Sequence, residues 1–149
     1  MKTYKSFSSE ETRKFGEAMA KDLLVAKHTG RARIFALKGD LGAGKTTFTQ
    51  GLIKGLGSKR RATSPTFVIM RRHALKNARH KNIFHIDAYR LATAEHLAVL
   101  GFKEIAADAK NIIVIEWPER AKKILPKHTT WIEFRHGKKE NERTIILKR

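Results

Sequence analysis

A glycine-rich stretch that ends in a lysine and a threonine carries the strongest chemical signal in the sequence. Residues 39–46 read Gly-Asp-Leu-Gly-Ala-Gly-Lys-Thr and fit the pattern G-x-x-x-x-G-K-[ST] at every fixed position. An apolar run at 34–37 precedes the stretch, and apolar residues at helical spacing follow it at positions 48, 52, 53 and 56. Because a phosphate-binding loop joins a buried strand to a helix, this context predicts nucleotide binding.

The residue types in this loop suit a bound phosphate. Backbone N–H groups from about Gly42 to Thr46 are expected to face a concavity at a helix N-terminus, where an anion is favoured. The glycines leave room for the phosphate to approach the backbone closely. Lys45 supplies a positive charge for the β- and γ-phosphates, and the Thr46 hydroxyl is expected to be a magnesium ligand.

Two carboxylates follow apolar runs and are candidates for the magnesium end of the site. Asp87 ends the run at 82–87, and Glu116 ends the run at 111–116. One is expected to hold magnesium through water while the other orients the attacking water; the sequence does not say which. The alternative for either residue is a strand-end cap.

Two neighbours of these carboxylates have open roles. His85 lies two residues before Asp87 and therefore faces the same side of its strand, where it either tunes the carboxylate or is a hydrogen-bonded histidine. Trp117 directly follows Glu116, and it lies either near the nucleotide or in the core.

Composition sets limits on the class of protein. The 149 residues fit a single domain spanning 1–149, and the hydrophobic fraction of 41% is that of a globular chain. The absence of cysteine excludes disulfides and zinc-thiolate sites and fits a cytoplasmic protein. No apolar run approaches the length of a membrane span, and no apolar signal region follows the N-terminus.

The formal net charge of +18 bears on the binding partners. Basic residues surround the segment Thr-Ser-Pro-Thr-Phe at 63–67, and they are equally consistent with RNA binding and with a solvated loop face. The cluster comprises Lys59, Arg60, Arg61, Arg71, Arg72, Lys76, Arg79 and Lys81.

The hydrophobic patterns predict a central mixed sheet with helices on both faces, hence an α/β P-loop fold with its ligand at the carboxyl ends of the strands. Helices are expected from a capping box at Ser8 to about residue 27, after the phosphate loop, and from Thr93 to Gly101, with helix and loop over 102–110. Pro118 opens another helix running to about residue 125. Strands at about 67–75 and 82–87 are expected to form an antiparallel hairpin, as are 130–135 and 143–147.

Taken together, the motifs resemble the TsaE (YjeE) family. The resemblance rests on the phosphate loop with Thr47, on Ser-Pro-Thr-Phe at 64–67, on His-Ile-Asp-Ala-Tyr-Arg-Leu at 85–91, on Leu-Gly-Phe at 100–102 with Glu104, and on Glu-Trp-Pro-Glu at 116–119. The order and spacing match across essentially the whole chain. The phosphate loop alone is unspecific, whereas its combination with H-x-D-x-Y-R and E-W-P-E is highly specific.

This resemblance implies an ATPase required for the threonylcarbamoyl modification of adenosine 37 in tRNAs that read ANN codons. It also implies weak ATP hydrolysis that depends on the partner proteins TsaD and TsaB, with ATP and Mg²⁺ as cofactors. The implied acidic pair is Asp87 and Glu116, and the implied magnesium ligands are these two with Thr46. The implied nucleotide-binding residues are Gly39, Gly42, Ala43, Gly44, Lys45, Thr46, Thr47 and Trp117. The strongly basic charge is not part of the family signature and leaves direct tRNA contact open.

Two other functional classes remain open at the level of sequence. A small-molecule kinase would move phosphate to an acceptor other than water, although the chain is short for an acceptor site with a lid. A non-enzymatic, nucleotide-dependent RNA-binding module would show no hydrolysis. The [NT]-K-x-D signature of GTPases is missing from the sequence, which disfavours guanine specificity.

Overall fold

The computed structural model describes residues 1–58 and 69–148, which form one seven-stranded mixed sheet with helices on both faces. The strands are β1 (Lys2–Ser6), β2 (Arg33–Lys38), β3 (Met70–Ala74), β4 (Asn82–Asp87), β5 (Asn111–Glu116), β6 (Thr130–His136) and β7 (Arg143–Lys148). The α-helices are α1 (Ser9–Val25), α2 (Lys45–Gly55), α3 (Ala94–Val99) and α4 (Phe102–Ala107), and two 3₁₀ helices span Ala88–Arg90 and Pro118–Ile124.

The strand order is β1-β7-β6-β2-β5-β4-β3. The central strands β6, β2, β5 and β4 run parallel, whereas β1, β7 and β3 pair antiparallel at the two sides. All six residues of β5 are buried, as expected for a parallel strand covered on both faces. The parallel centre brings the carboxyl ends of β2, β5 and β4 to one edge of the sheet.

Each face of the sheet has its own apolar core. On one face, the core includes Phe48 and Leu52 of α2 and Ile112 of β5, and side chains of α1 complete it. On the other face, the core includes Ile86 of β4, Ile113 of β5 and Leu97 of α3, and side chains of α4 and of the second 3₁₀ helix complete it. The packing on both faces therefore holds the strand ends, and the loops that follow them, in fixed relative positions.

Helix α1 begins at the predicted N-cap Ser8, although the reciprocal bond of the capping box goes to the N–H of Phe7 and not to that of Ser8. The Ser8 side chain accepts a hydrogen bond from the Glu11 N–H at 3.1 Å, and the Glu11 carboxylate accepts from the Phe7 N–H at 2.8 Å. The helix packs closely on α2 because Gly16 and Gly51 lie at the crossing; a Cβ at Gly51 would overlap the carbonyl oxygen of Arg13.

The predicted α/β class, the two hairpins and the central strands are confirmed. The structure differs in three places. Strand β1 was not predicted, because its residues are mostly exposed and alternate too weakly to signal a strand. The segment after Pro118 is a 3₁₀ helix and not an α-helix, and α1 ends at Val25, two residues early. The predicted start of β3 at 67–68 lies outside the described residues.

None of the helices formed by residues 1–58 and 69–148 combines the length and apolar character that crossing a membrane requires.

Candidate nucleotide-binding site

The glycine-rich loop connects β2 to α2 at the carboxyl edge of the sheet, as predicted from its flanking patterns. Gly44 directly precedes α2 with φ of 103°, a left-handed conformation that a Cβ would disfavour. Helix α2 starts at Lys45 without a side-chain cap. Its first N–H groups are therefore available to an anion in the adjoining cavity.

Lys45 is buried at the base of this cavity. Its ammonium group donates to the backbone carbonyls of Gly39 and Asp40, the latter at 3.0 Å. The Nζ atom also lies 4.3 Å from the centroid of the Trp117 ring. Burial lowers the pKa of Lys45, while Glu116 and further carboxylates oppose that shift. The lysine is thus held inside the loop by backbone carbonyls and by a ring face.

The two candidate carboxylates are brought side by side by the pairing of their strands. Asp87 and Glu116 are direct partners in the β4–β5 register, and Leu37 of β2 is paired with Glu116 on its other side. Both carboxylates are buried. The Glu116 Oε1 atom accepts a hydrogen bond from the Thr46 hydroxyl at 2.9 Å. The sheet therefore joins the predicted magnesium ligands Thr46, Asp87 and Glu116 in one place.

His85 holds the other oxygen of Glu116. Its Nε2 atom lies 3.0 Å from Glu116 Oε2, and the imidazole is completely buried. Of the two roles considered for His85, the structure shows a direct hydrogen bond to a carboxylate, although the carboxylate is Glu116 on the neighbouring strand. Glu116 is consequently fixed at both oxygens, between His85 and Thr46.

The two carboxyl groups have opposite electrostatic environments. Burial raises the pKa of Asp87, and the charge of Glu116 adds to the rise, while the N–H of Tyr89 acts against it. Burial acts to raise the pKa of Glu116 too, but hydrogen bonds from His85 and Thr46 and the charge of Lys45 hold it below its ordinary value. Glu116 is thus the more firmly ionised of the pair.

An aromatic wall closes one side of the cavity. Trp117 adopts the left-handed conformation with φ of 57°, which is strained for a residue with a large side chain. Its ring contacts Tyr89 at a centroid distance of 5.3 Å, and the Arg120 guanidinium lies 4.9 Å from the Tyr89 ring. Trp117 therefore lines the cavity and does not belong to either apolar core.

The cavity formed by these groups has a volume of about 560 Å³, a size typical of sites for organic ligands. Its walls include every predicted residue of the site except Gly39, which contributes the carbonyl that Lys45 contacts. The lining residues are Leu41, Gly42, Ala43, Gly44, Lys45, Thr46, Thr47, Asp87, Tyr89, Arg90, Glu116 and Trp117.

Three residues that support the site had no predicted role. Tyr89 and Arg90 follow Asp87 and line the cavity, and their place in the H-x-D-x-Y-R motif was the available signal. Arg143 of β7 donates to the Gly42 carbonyl at 3.0 Å, across 101 residues of sequence. No local pattern could have shown that contact, because it depends on how the final hairpin folds back onto the loop.

The side chains present suit a magnesium ion bound together with nucleotide phosphates. Magnesium keeps several waters and takes only one or two carboxylates from the protein beside the phosphate oxygens. The described residues contain no group of three or more histidine or acidic side chains that could hold a metal alone. The Thr46 hydroxyl and the carboxylates of Asp87 and Glu116 match a site at which nucleotide phosphates complete the magnesium coordination.

Part of the predicted basic cluster lies outside the described residues. Lys59, Arg60 and Arg61, and the Ser-Pro-Thr-Phe segment at 64–67, are in that part of the chain. Of the remaining members, Arg71 and Arg72 are exposed on β3, an outer strand of the sheet.

A family model, several sequence relatives and a solved structure all relate this chain to the same family. The family model described as "Threonylcarbamoyl adenosine biosynthesis protein TsaE" matches residues 6–145. The chain is also similar to proteins named "tRNA threonylcarbamoyladenosine biosynthesis protein TsaE". The protein of Haemophilus influenzae is 39% identical, and the match covers 76% of this chain and 69% of that protein. The protein of Bacillus subtilis is 34% identical, and the match covers 95% of this chain and 83% of that protein. The crystal structure of YdiB from Bacillus subtilis superposes with a TM-score of 0.75 and 27% identity, over 98% of this chain and 83% of that chain. The chain therefore belongs to the TsaE family.

Proposed function

We propose that this protein binds and hydrolyses ATP with Mg²⁺ and that its hydrolysis serves the threonylcarbamoylation of adenosine 37 in tRNAs reading ANN codons. The observation that carries the nucleotide part is the convergence of Lys45, Thr46, Asp87 and Glu116 on one cavity at the start of α2. Family membership supports the tRNA modification part, since its members carry that process in their names. The cytoplasm, where tRNA is modified, is the expected location.

The phosphates of ATP would lie against the N–H groups at the start of α2. Lys45 would exchange its carbonyl contacts for the β- and γ-phosphates, to which charge-assisted hydrogen bonds are strong. Thr46 and Glu116 already share a hydrogen bond, and the hydroxyl would turn from the carboxylate toward the metal. Bound Mg²⁺ would supply neutralisation of the phosphate charge during transfer.

The acidic pair would then divide two tasks. A carboxylate that stays ionised favours a cation, and the lowered pKa of Glu116 fits contact with magnesium, directly or through water. The raised pKa of Asp87 fits a group that orients the attacking water and accepts a hydrogen bond from it. This assignment extends the sequence-based prediction, which left the division open.

We further propose that TsaD and TsaB complete the site. The cavity is bounded by loop, carboxylates and aromatic wall, and Lys45 and Arg90 are the cationic side chains that line it among the described residues. A partner would add a further cationic group where charge develops in the transition state. Many P-loop enzymes gain roughly 10³–10⁵-fold in rate only when a partner supplies such a group. Hydrolysis would reset the modifying complex between rounds, while the threonylcarbamoyl transfer itself would occur on TsaD.

The decisive experiment measures ATP hydrolysis by the purified protein alone and with TsaD and TsaB, together with modified tRNA formed. We expect slow hydrolysis alone, acceleration by the partners, and multiple rounds of tRNA modification only in the full mixture. Equal turnover with and without partners would refute the partner dependence. Phosphate recovered on an acceptor other than water would favour the kinase alternative, and unaltered RNA binding without hydrolysis would favour the binding module.

A further inference from the structure

We propose that a groove between α1 and the amino-terminal ends of the central strands binds a small amphiphilic organic anion, with an apolar body and one acidic head. This α1 groove has a volume of about 550 Å³ and is lined by residues of α1, β1, β2, β7 and the segment leading into β6. Its size is that of ligand sites in other proteins. The inference does not depend on the proposed ATPase function.

The α1 groove and the nucleotide cavity lie at opposite ends of β2. Arg33, at the start of that strand, lines the groove, whereas Lys38 at its end directly precedes the phosphate loop. Arg33 and Lys38 lie five residue steps apart along this strand, roughly 16 Å at about 3.3 Å per residue. The lining residues of the two cavities do not overlap.

The floor of the groove is apolar, and α1 above it packs closely on α2. Gly16 permits this close approach to α2, since a Cβ there would overlap the backbone of that helix. Phe15 and Met19 of α1 face the core but remain only half-buried, and both line the groove with Leu147 of β7. An apolar ligand body would complete their burial, and removing this apolar surface from water favours binding.

Two polar atoms in the groove wall lack hydrogen-bond partners among the described residues. Thr129 is 7% exposed, and its hydroxyl has no partner. The Nε2 atom of His128 is also buried and unpaired. Unpaired buried polar groups are costly, and an acidic head that accepts from the Thr129 hydroxyl would satisfy one of them.

The rim of the groove is cationic. Lys2, Arg31, Arg33 and Lys127 line it, against a single carboxylate, that of Asp22. Arg33 is held in place by donating to the Lys27 carbonyl at 2.7 Å. No acidic side chain of the described residues lies within ion-pair distance of Lys2, Arg31 or Lys127. An apolar floor beneath uncompensated cations is complementary to an organic anion and not to a neutral or cationic molecule.

The test uses decanoate as the probe, with decyltrimethylammonium as a ligand of equal chain length and opposite charge, both by calorimetric titration. In the rim-reversal variant Arg31→Glu/Lys127→Glu, two of the four rim cations become anions. In the control Lys103→Glu/Lys110→Glu the same charge change is made at exposed positions outside the groove. A second variant, Ala18→Trp, fills the groove from an exposed position on α1.

We expect one saturable decanoate site per chain, at least tenfold tighter than the site for the cationic probe. Rim reversal and Ala18→Trp should each weaken decanoate binding at least tenfold, while the control variant and saturating ADP should change it less than twofold. Equal affinity for the two probes, or wild-type affinity in both groove variants, would overturn the proposal. So would displacement of decanoate by ADP, because it would place the probe in the nucleotide cavity.

Discussion

The imidazole of His85 and the carboxylate of Glu116 form a fully buried hydrogen bond of 3.0 Å between adjacent parallel strands. The bond occupies Glu116 Oε2 and leaves Oε1 directed at the Thr46 hydroxyl. His85 does not line the nucleotide cavity, and it acts through its hydrogen bond to Glu116. It is therefore a positioning residue for the proposed magnesium site, comparable to the partners that orient metal ligands in other proteins.

His85→Ala should weaken magnesium-dependent steps more than nucleotide binding itself. We expect the Mg²⁺ concentration for half-maximal ATP hydrolysis to rise roughly 10–100-fold, the usual effect of losing such a partner. His85→Gln, which can still donate to Glu116, should recover part of the loss. The control His80→Ala removes an equally buried histidine away from the site; it should lower the melting temperature and leave the magnesium dependence unchanged. An unaltered magnesium dependence in His85→Ala would show that Glu116 needs no such support.

Lys45→Ala should reduce ATP affinity by at least tenfold, because it removes the sole side-chain cation of the phosphate loop and its charge-assisted bonds. The melting temperature should be maintained, since the buried ammonium interacts with loop carbonyls and a ring face and not with the apolar cores. Lys38→Ala, an exposed position just before the loop, makes the same charge change. Equilibrium titration with ATP distinguishes the two variants, and equal affinities would contradict the role of Lys45.

Asp87→Ala and Glu116→Ala should each lower ATP hydrolysis in the complete system by about 100-fold or more while changing nucleotide affinity only a few-fold. Binding rests on backbone N–H groups and Lys45, whereas the carboxylates act where charge develops in the transition state. Glu119→Ala serves as a control, since it removes a nearby but exposed carboxylate. If Asp87→Ala or Glu116→Ala hydrolyses ATP at the parental rate, the residue replaced in that variant is a structural cap.

Asp87→Asn should raise the melting temperature at neutral pH. The pKa of Asp87 is raised in the folded protein, so the folded state binds its proton more tightly than the unfolded state. The free energy of unfolding therefore falls as the pH rises from the ordinary pKa of 3.8 through the raised pKa of the folded state. At pH 7 the ionised carboxylate destabilises the folded protein. Thermal unfolding at pH 7 and at pH 3.5 should show the gain at the former and its disappearance at the latter. A lower melting temperature of Asp87→Asn at pH 7 would contradict the destabilising effect of the ionised Asp87 carboxylate.

Gly51→Ala should destabilise the fold through the contact between α1 and α2. A Cβ at this position overlaps the Arg13 carbonyl, a backbone atom that can move only with its helix. Overpacking of this kind costs about 1–3 kcal/mol or more, and for a chain of this size that corresponds to a fall of roughly 3–10 °C in melting temperature. Lys21→Ala at an exposed position of α1 should change it by about 1 °C at most. Comparable melting temperatures for the two variants would mean that the helices separate easily.

The sequence by itself determined the features that depend on short-range pattern. The phosphate loop, its flanking strand and helix, the capping box at Ser8, and the carboxylates ending β4 and β5 were all predictable, because each is encoded within a few residues. The mixed sheet and the placement of Asp87 and Glu116 at the edge that carries the loop also followed, because each carboxylate ends an apolar run. Strand β1 did not follow, because its exposed residues gain their place only by pairing with β7 at the far end of the chain.

The tertiary structure decided which of these groups touch. Strand order places β5 between β2 and β4, and this makes Glu116 the neighbour of Thr46, His85 and Asp87 at once. The left-handed backbone of Trp117 directs its ring toward Lys45, and the final hairpin brings Arg143 to the loop. These contacts join residues 29 to 101 positions apart. Local propensity carries no information at that range, and only the packing of both sheet faces fixes them.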